Sequence, residues 1–192
     1  MTIYFQNLRI EAGEGVYEPA EDSFLLAEKL DVERGDEVLD MGTGTGIIAL
    51  SAARKAGRVL GVDINPDAVR LASINAGLNG FENTEFRESD LFSRVDGMFD
   101  LITFNPPYLP VDDGKGSEMW SGGAGGVEVL ERFVVEACSF LKEGGNIRML
   151  VSSLNGLDYV RGMVGKTGFK SQVIAGKRFF FEELYVLTAS RM

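Results

Sequence analysis

One tetrapeptide in the chain has residue types suited to chemistry on nitrogen: Asn105-Pro106-Pro107-Tyr108, directly after an apolar run. Two prolines stiffen the backbone, and since proline has no N–H, the Pro106 carbonyl can face outward without a ladder partner. Asn105 sets a side-chain carbonyl beside it, so two acceptors stand ready for the two hydrogens of a planar NH2 group. Tyr108 adds a ring on which a flat amide or a base can lie. A rigid turn after a strand would explain the prolines, but not Asn before them and Tyr after them. Such a site needs neither metal nor histidine. The chain has no histidine and one cysteine, Cys138. Every Ser-His, Cys-His and His-metal mechanism is thereby excluded, as are a disulfide framework and a cysteine cage for a metal.

A second constellation has the makings of a small-molecule site. Asp40-Met41-Gly42-Thr43-Gly44-Thr45-Gly46 follows a short strand and opens a helix. Its glycines let backbone approach a ligand closely, and amides at a helix start face it, although such a turn also serves packing. The spacing is Gly-x-Gly-x-Gly, not the Gly-x-Gly-x-x-Gly of dinucleotide folds. Asp40 would repel a pyrophosphate and attract a cationic amino-acid tail. Asp63 ends the next strand, where a carboxylate can accept hydrogen bonds from both hydroxyls of a ribose. Asp90-Leu91, after a third strand, either meets an adenine amine and ring edge or forms a turn.

The elements that must position these residues alternate. Strands are predicted at Glu37–Met41, Arg58–Ile64, Thr84–Arg87, Met98–Phe104, Asn146–Ser152, Lys170–Ala175 and Phe181–Ala189. Helices are predicted at Ile47–Lys55, from Pro66 through Leu78 with Ala68, Val69, Leu71, Ala72, Ile74 and Leu78 at helical spacing, at Val127–Leu141 and at Asp158–Lys166. This is an α/β pattern, a mostly parallel seven-stranded sheet with helices on both faces, and it places ligands at the carboxyl ends of the strands. Residues 1–35 form an N-terminal lead-in segment and helix, and 36–192 the core of a single domain. Cys138 and Phe179-Phe180-Phe181 read as packing residues.

Composition narrows the class further. The 192 residues are 45% hydrophobic and 25% charged, with 19 basic and 29 acidic side chains and a formal charge of −10. A surface that acidic repels phosphate backbones, so direct nucleic-acid binding is disfavoured. The first ten residues do not form a signal peptide, and no apolar run reaches the roughly 18 residues of a membrane helix. A cytoplasmic, reducing location is expected.

The glycine loop, Asp63 and Asn105-Pro106-Pro107-Tyr108 together resemble the amino-methylating class I S-adenosylmethionine-dependent methyltransferases. Val16-Tyr17-Glu18-Pro19-Ala20-Glu21-Asp22-Ser23-Phe24-Leu25-Leu26 and Trp120-Ser121-Gly122-Gly123 with Gly126 resemble a narrower group. These are the HemK-related release-factor glutamine methyltransferases in their short archaeal and eukaryotic form. The resemblance covers roughly residues 10 to 155. It implies a Rossmann-like fold and S-adenosyl-L-methionine as cofactor. Cofactor contacts would come from Ser23 or its neighbours, Asp40, Gly42, Gly44, Asp63, Asp90, Leu91 and Asn105. Asn105, Pro106, Pro107 and Tyr108 would hold the substrate, with Asn105, Pro106 and Tyr108 the catalytic set and no metal.

The resemblance implies a glutamine of a Gly-Gly-Gln motif in a peptide chain release factor as the methylated group. Exocyclic amines of adenine or guanine, or a lysine, are alternatives that the tetrapeptide does not separate. A nicotinamide oxidoreductase is opposed by the glycine spacing and Asp40, and a non-catalytic scaffold by the intact motifs. The resemblance also implies a small zinc-binding activator protein as heterodimer partner, joined at the sheet edge near Thr84–Arg87. Proline at Glu85 would test that edge if the Glu85 N–H faces outward.

Overall fold

The computed structural model describes residues 1–106, 125–180 and 182–191. Short apolar runs with β-branched residues form β3 (Glu37–Met41), β4 (Arg58–Asp63), β5 (Thr84–Glu88) and β6 (Phe99–Phe104). The chain continues through β7 (Leu141–Ser152), β8 (Phe169–Arg178) and β9 (Glu183–Arg191). They make one seven-stranded sheet in the order β5-β4-β3-β6-β7-β9-β8, parallel except that β9 runs antiparallel to both neighbours. The expected α/β architecture and all seven core strands are present. Strand order reverses between β3 and β6, so the crevice for a ligand opens above their carboxyl ends.

Both faces of the sheet are covered, which is why β3 and β6 read as nearly continuous apolar runs. On one face Leu39, Met41 and Phe104 pack with α4 (Gly125–Ala137) and α5 (Leu157–Lys166). Phe104 lies 4.5 Å from the Phe133 ring, centre to centre. On the other face Val38, Leu101 and Leu150 meet α1 (Glu21–Ala27) and α2 (Ile47–Ala53). Full burial of each large side chain here contributes about 1.5–3 kcal/mol.

Three local expectations change. The lead-in segment begins with a hairpin, β1 (Thr2–Phe5) and β2 (Leu8–Glu11), closed by Gln6 and Asn7. Both turn residues take φ of 46° and 69°, the left-handed backbone of a two-residue hairpin turn. Gln-Asn is a weaker turn signal than Asn-Gly, so the sequence hides it. Helix α4 stops at Ala137, and β7 starts at Leu141 and runs through Gly144-Gly145 rather than beginning at Asn146. A Cβ at Gly145 would meet the Asp100 and Phe99 carbonyl oxygens at 3.0 Å, so Gly145 permits close backbone approach inside a strand, while Gly144 supplies a φ of 80°.

The third change concerns α3 (Pro66–Asn79). Ile74 and Leu78 stand exposed, while Ala68, Ala72, Asn75 and Ala76 are buried. Small residues are needed because Gly46 presses on this face: a Cβ there would sit 3.1 Å from the Ala72 Cβ. Asn75 and Asn79, one turn apart, then act as a surrogate strand for β2. Their oxygens accept from Glu11 and Arg9 N–H, and their NH2 groups donate to the same residues' carbonyls, at 2.7–3.0 Å.

Strand β5 is an edge, as expected. The backbone bonds from Val59 N–H to Asn83 and from Ser89 N–H to Asp63 fix the ladder's alternation. Glu85 N–H therefore points inward to Val59, and the outward donors are those of Thr84, Phe86 and Glu88. Proline at Glu85 would break the sheet itself. Phe86 packs across Gly61, where a Cβ would fall 2.6 Å from the ring, and so belongs to the core side.

Candidate active site

Above β3, the glycine loop turns into α2. All three loop glycines take positive φ, and Gly46 at 84° caps the helix. A side chain at Gly42 would face the Phe104 ring at 3.4 Å. Asp40 sits behind this loop with no exposed surface. One carboxylate oxygen accepts from the Thr43 hydroxyl at 2.8 Å and from Ala49 N–H at 3.2 Å. The other accepts from the Thr103 hydroxyl at 2.7 Å. Burial pushes the carboxyl up to about 6 in spite of these three donors, and nearby Asp63 adds to the rise. Asp40, expected to contact a cofactor, stands behind the loop and not at the cavity. Its acceptors are turned to the protein, it is absent from the cavity wall, and it holds the loop.

Asp63, half-buried at the end of β4, does line the cavity. Its two oxygens accept from Gly44 N–H and Asn65 N–H, both at 2.9 Å. Each oxygen retains a lone pair, so the carboxylate ties strand to loop and can still receive hydroxyl donors. Beyond β5, Leu91 is buried at φ 45°, a conformation costly for a side-chain-bearing residue. Asp90 is exposed and lies 3.2 Å from the Arg132 guanidinium. Both residues border the cavity.

The corner nearest the end of β6 is assembled from distant segments. Asn105 donates its amide N–H to Asp22 at 2.9 Å across 83 positions of sequence, and a longer 3.4 Å contact reaches the Ser23 hydroxyl. Asp22 and Ser23 are buried in the first turn of α1. Asp22 also accepts from the Tyr17 hydroxyl at 3.1 Å and the Ser23 hydroxyl at 3.3 Å. A carboxylate has only acceptors, so the Asn105 NH2 must face it, leaving Oδ1 on the opposite side. That oxygen is shielded from solvent and has no hydrogen-bond partner. An orphaned buried acceptor costs about 1–3 kcal/mol, a cost that a bound donor would remove. Asp22 was not singled out from sequence. The only signal was its place beside Ser23 in the lead-in segment.

These parts share one cavity of about 550 Å³, within the usual range for small-molecule sites. Val16, Tyr17, Pro19, Asp22 and Ser23 wall one side, residues 41–45 the floor, and Asp63, Leu91, Asn105 and Pro106 the rest. Ser23, Gly42, Gly44, Asp63, Asp90, Leu91, Asn105 and Pro106 are thus brought together, as the motifs implied. Pro107 and Tyr108 lie outside the described residues, as does Trp120-Ser121-Gly122-Gly123. Among the described residues, no helix is long and apolar enough to cross a membrane.

Comparison with known proteins gives the family. The methyltransferase small domain matches residues 8–180. A candidate protein N5-glutamine methyltransferase of Methanocaldococcus jannaschii is 42% identical over 198 residues, covering all of both chains. A release factor glutamine methyltransferase of Fusobacterium nucleatum is 40% identical over 118 residues, 57% of this chain and 33% of that one. The present chain thus spans the whole of the archaeal relative and about a third of the bacterial one. Among solved structures, the E. cuniculi Mtq2–Trm112 complex, responsible for methylation of the eRF1 translation termination factor, superposes with a TM-score of 0.69 and 27% identity. That match covers 92% of this chain and 99% of that one. The chain belongs to the methyltransferase small-domain family, as a class I methyltransferase of the branch that holds the release-factor glutamine methyltransferases.

Proposed function

We propose that the protein methylates the side-chain amide nitrogen (N5) of the glutamine in a Gly-Gly-Gln motif of a peptide chain release factor, using S-adenosyl-L-methionine. The observation that carries this reading is the buried, unpartnered Oδ1 of Asn105, a residue that lines the cavity. It is an acceptor in want of an N–H donor. The names of the relatives support the glutamine and the release factor.

The residues present fit the cofactor. Gly42 and Gly44 offer close backbone approach, Asp63 keeps lone pairs for two hydroxyls, Leu91 gives an apolar surface, and Ser23 stands beside Asn105. Asp90, which borders the cavity, would receive an amine. When bound, S-adenosyl-L-methionine supplies a methyl group already activated as a sulfonium. The protein's task is then alignment, worth about 7–11 kcal/mol in well-oriented systems. An amide nitrogen is a poor nucleophile because its lone pair is delocalised. Asn105 Oδ1 and the Pro106 carbonyl accept its two hydrogens and stabilise the positive charge that builds on it. Tyr108 would support the plane of the amide. The proton leaves to water, as suits a chain without histidine.

The test is transfer of radiolabelled methyl to a release factor bearing Gly-Gly-Gln, followed by mapping of the site. Label on the glutamine, and none on a factor with alanine there, is the expected result. Label elsewhere, or on nucleic acid only, would overturn the reading. A cytoplasmic location follows from such a substrate.

A partner completes the proposal: a small zinc-binding activator, with zinc on its own ligands, adds to the free edge of β5. The outward donors of Thr84, Phe86 and Glu88 suit strand addition. Thr84→Pro removes one of them and is expected to weaken co-purification of the activator while methyl transfer by any free enzyme persists. Unchanged co-purification would move the interface elsewhere.

A further inference from the structure

We propose that Asp22 is the positioning and specificity-determining residue that makes Asn105 an acceptor only, so that the site takes an NH2 group and refuses a carboxylate. The inference rests on the glutamine reading above and deepens it.

The two ends of an asparagine amide are nearly isosteric, so an unconstrained Asn105 could turn either its carbonyl or its NH2 to a ligand. A glutamate carboxylate would then be received as readily as a glutamine amide. Asp22 removes this ambiguity. It is only 4% exposed, and its Oδ2 lies 2.9 Å from Asn105 Nδ2. A flipped Asn105 would set oxygen against oxygen at that distance, in an environment too dry to screen the repulsion. Tyr17 holds the same Asp22 oxygen through its hydroxyl, and Ser23 donates to the other. These contacts also orient Asp22 itself. Oδ1 is thereby turned away from Asp22, shielded from solvent and without a partner. A glutamine NH2 satisfies it. A glutamate carboxylate would meet it lone pair to lone pair, with the Asp22 carboxylate just behind.

The mechanism predicts a preference that a purely structural residue would not control. The release factor and the same factor with its glutamine changed to glutamate are compared, the second as a competitive inhibitor. The parent enzyme is expected to bind the glutamate factor at least about tenfold more weakly, as sites built around a hydrogen bond reject analogues lacking it. Asp22→Leu should lower kcat by about 10²-fold, the loss typical of a stabilising group set free. It should also bring the two affinities together, while cofactor affinity by calorimetry stays within about threefold. Asp22→Asn can still turn its oxygen to Asn105 and its NH2 to Ser23 Oγ, so kcat should stay within about tenfold while rejection of glutamate weakens.

A folded Asp22→Leu enzyme that keeps both kcat and the glutamine preference would overturn the proposal. So would one that loses cofactor affinity with the preference intact, since that marks a structural residue. Should the leucine variant not fold, Asp22→Asn and Tyr17→Phe decide, and an unchanged preference in both refutes the idea. A parent that methylates no release factor defeats the glutamine reading alone. Calorimetric binding of the two factors needs no turnover and would still read the preference.

Discussion

The glycine-loop corner and the Asn105 corner share one cavity but are built on opposite plans. In the first, Asp40, the loop and Asp63 come from one contiguous β-α-β stretch, and their polar atoms largely satisfy one another. Asp40 accepts three hydrogen bonds from the protein, and each Asp63 oxygen accepts one. In the second, residues 83 positions apart meet, and one buried oxygen is left over. Each corner leaves one buried oxygen without a partner, Thr45 Oγ1 in the first and Asn105 Oδ1 in the second. The first corner's carboxylates are spent on shaping the floor, whereas the second offers the acceptor that the proposed substrate amide would use.

Four substitutions would break or sharpen this contrast. The largest effect is expected from Asn105→Ala. Turnover should fall by about 10²–10³-fold, since the lost contact is made to the reacting nitrogen. Stability should fall by a smaller amount, about 1–3 kcal/mol, because the buried Asp22 carboxylate loses the Asn105 donor while keeping that of Tyr17. Parental turnover in this variant would erase the distinction between the corners.

Asp40→Asn should act on stability, through pH. The folded carboxyl stands at about 6 against an ordinary 3.8. Between these values the folded chain holds a proton that the unfolded chain has released, so this group makes stability fall as pH rises. The penalty is complete above about pH 6 and amounts to about 3 kcal/mol. Relative to the parent, the asparagine variant should therefore gain up to that amount between pH 4 and 7 in denaturant titrations. A constant difference across that range would show that Asp40 ionises as freely as in the unfolded chain.

Asp63→Ala removes acceptors for two loop amides and for the cofactor's hydroxyls. Each charge-assisted bond is worth about 1.5–3 kcal/mol before compensation, so cofactor affinity by calorimetry should drop at least about tenfold. Unchanged affinity in a folded variant would take Asp63 out of the ribose role.

Asn75→Ala tests the support beneath the first corner. Its NH2 donates to the Thr45 carbonyl as well as to Glu11, so it joins the N-terminal hairpin to the glycine loop. A loss of about 1–3 kcal/mol is expected from the groups left unpaired, with faster amide exchange in Thr2–Glu11. Loss of stability without any change in hairpin exchange would place its role in the loop alone.

Much of this protein was legible in its residues. Alternating apolar runs and glycine stops specify seven core strands and their helices, because period and punctuation are local properties. The three glycines after Asp40, and Asn105 before two prolines, announce their positions for the same reason. The N-terminal hairpin was not legible, since Gln6 and Asn7 accept left-handed backbone without advertising it. The burial of α3 was also hidden, because close contact with Gly46 selects alanines over the larger Ile74 and Leu78. That the Asp40 carboxylate is buried behind the loop, with its acceptors turned to Thr43, Ala49 and Thr103, was not legible either, since which side of the loop it faces is set in space. Asp22 stood in the sequence only as a member of the Val16–Leu26 segment, beside Ser23. Only the folding of α1 against the end of β6 brings it to Asn105, and a pair so distant leaves no trace in spacing. Local patterns depend on neighbours in sequence, whereas the direction of a hydrogen bond depends on neighbours in space.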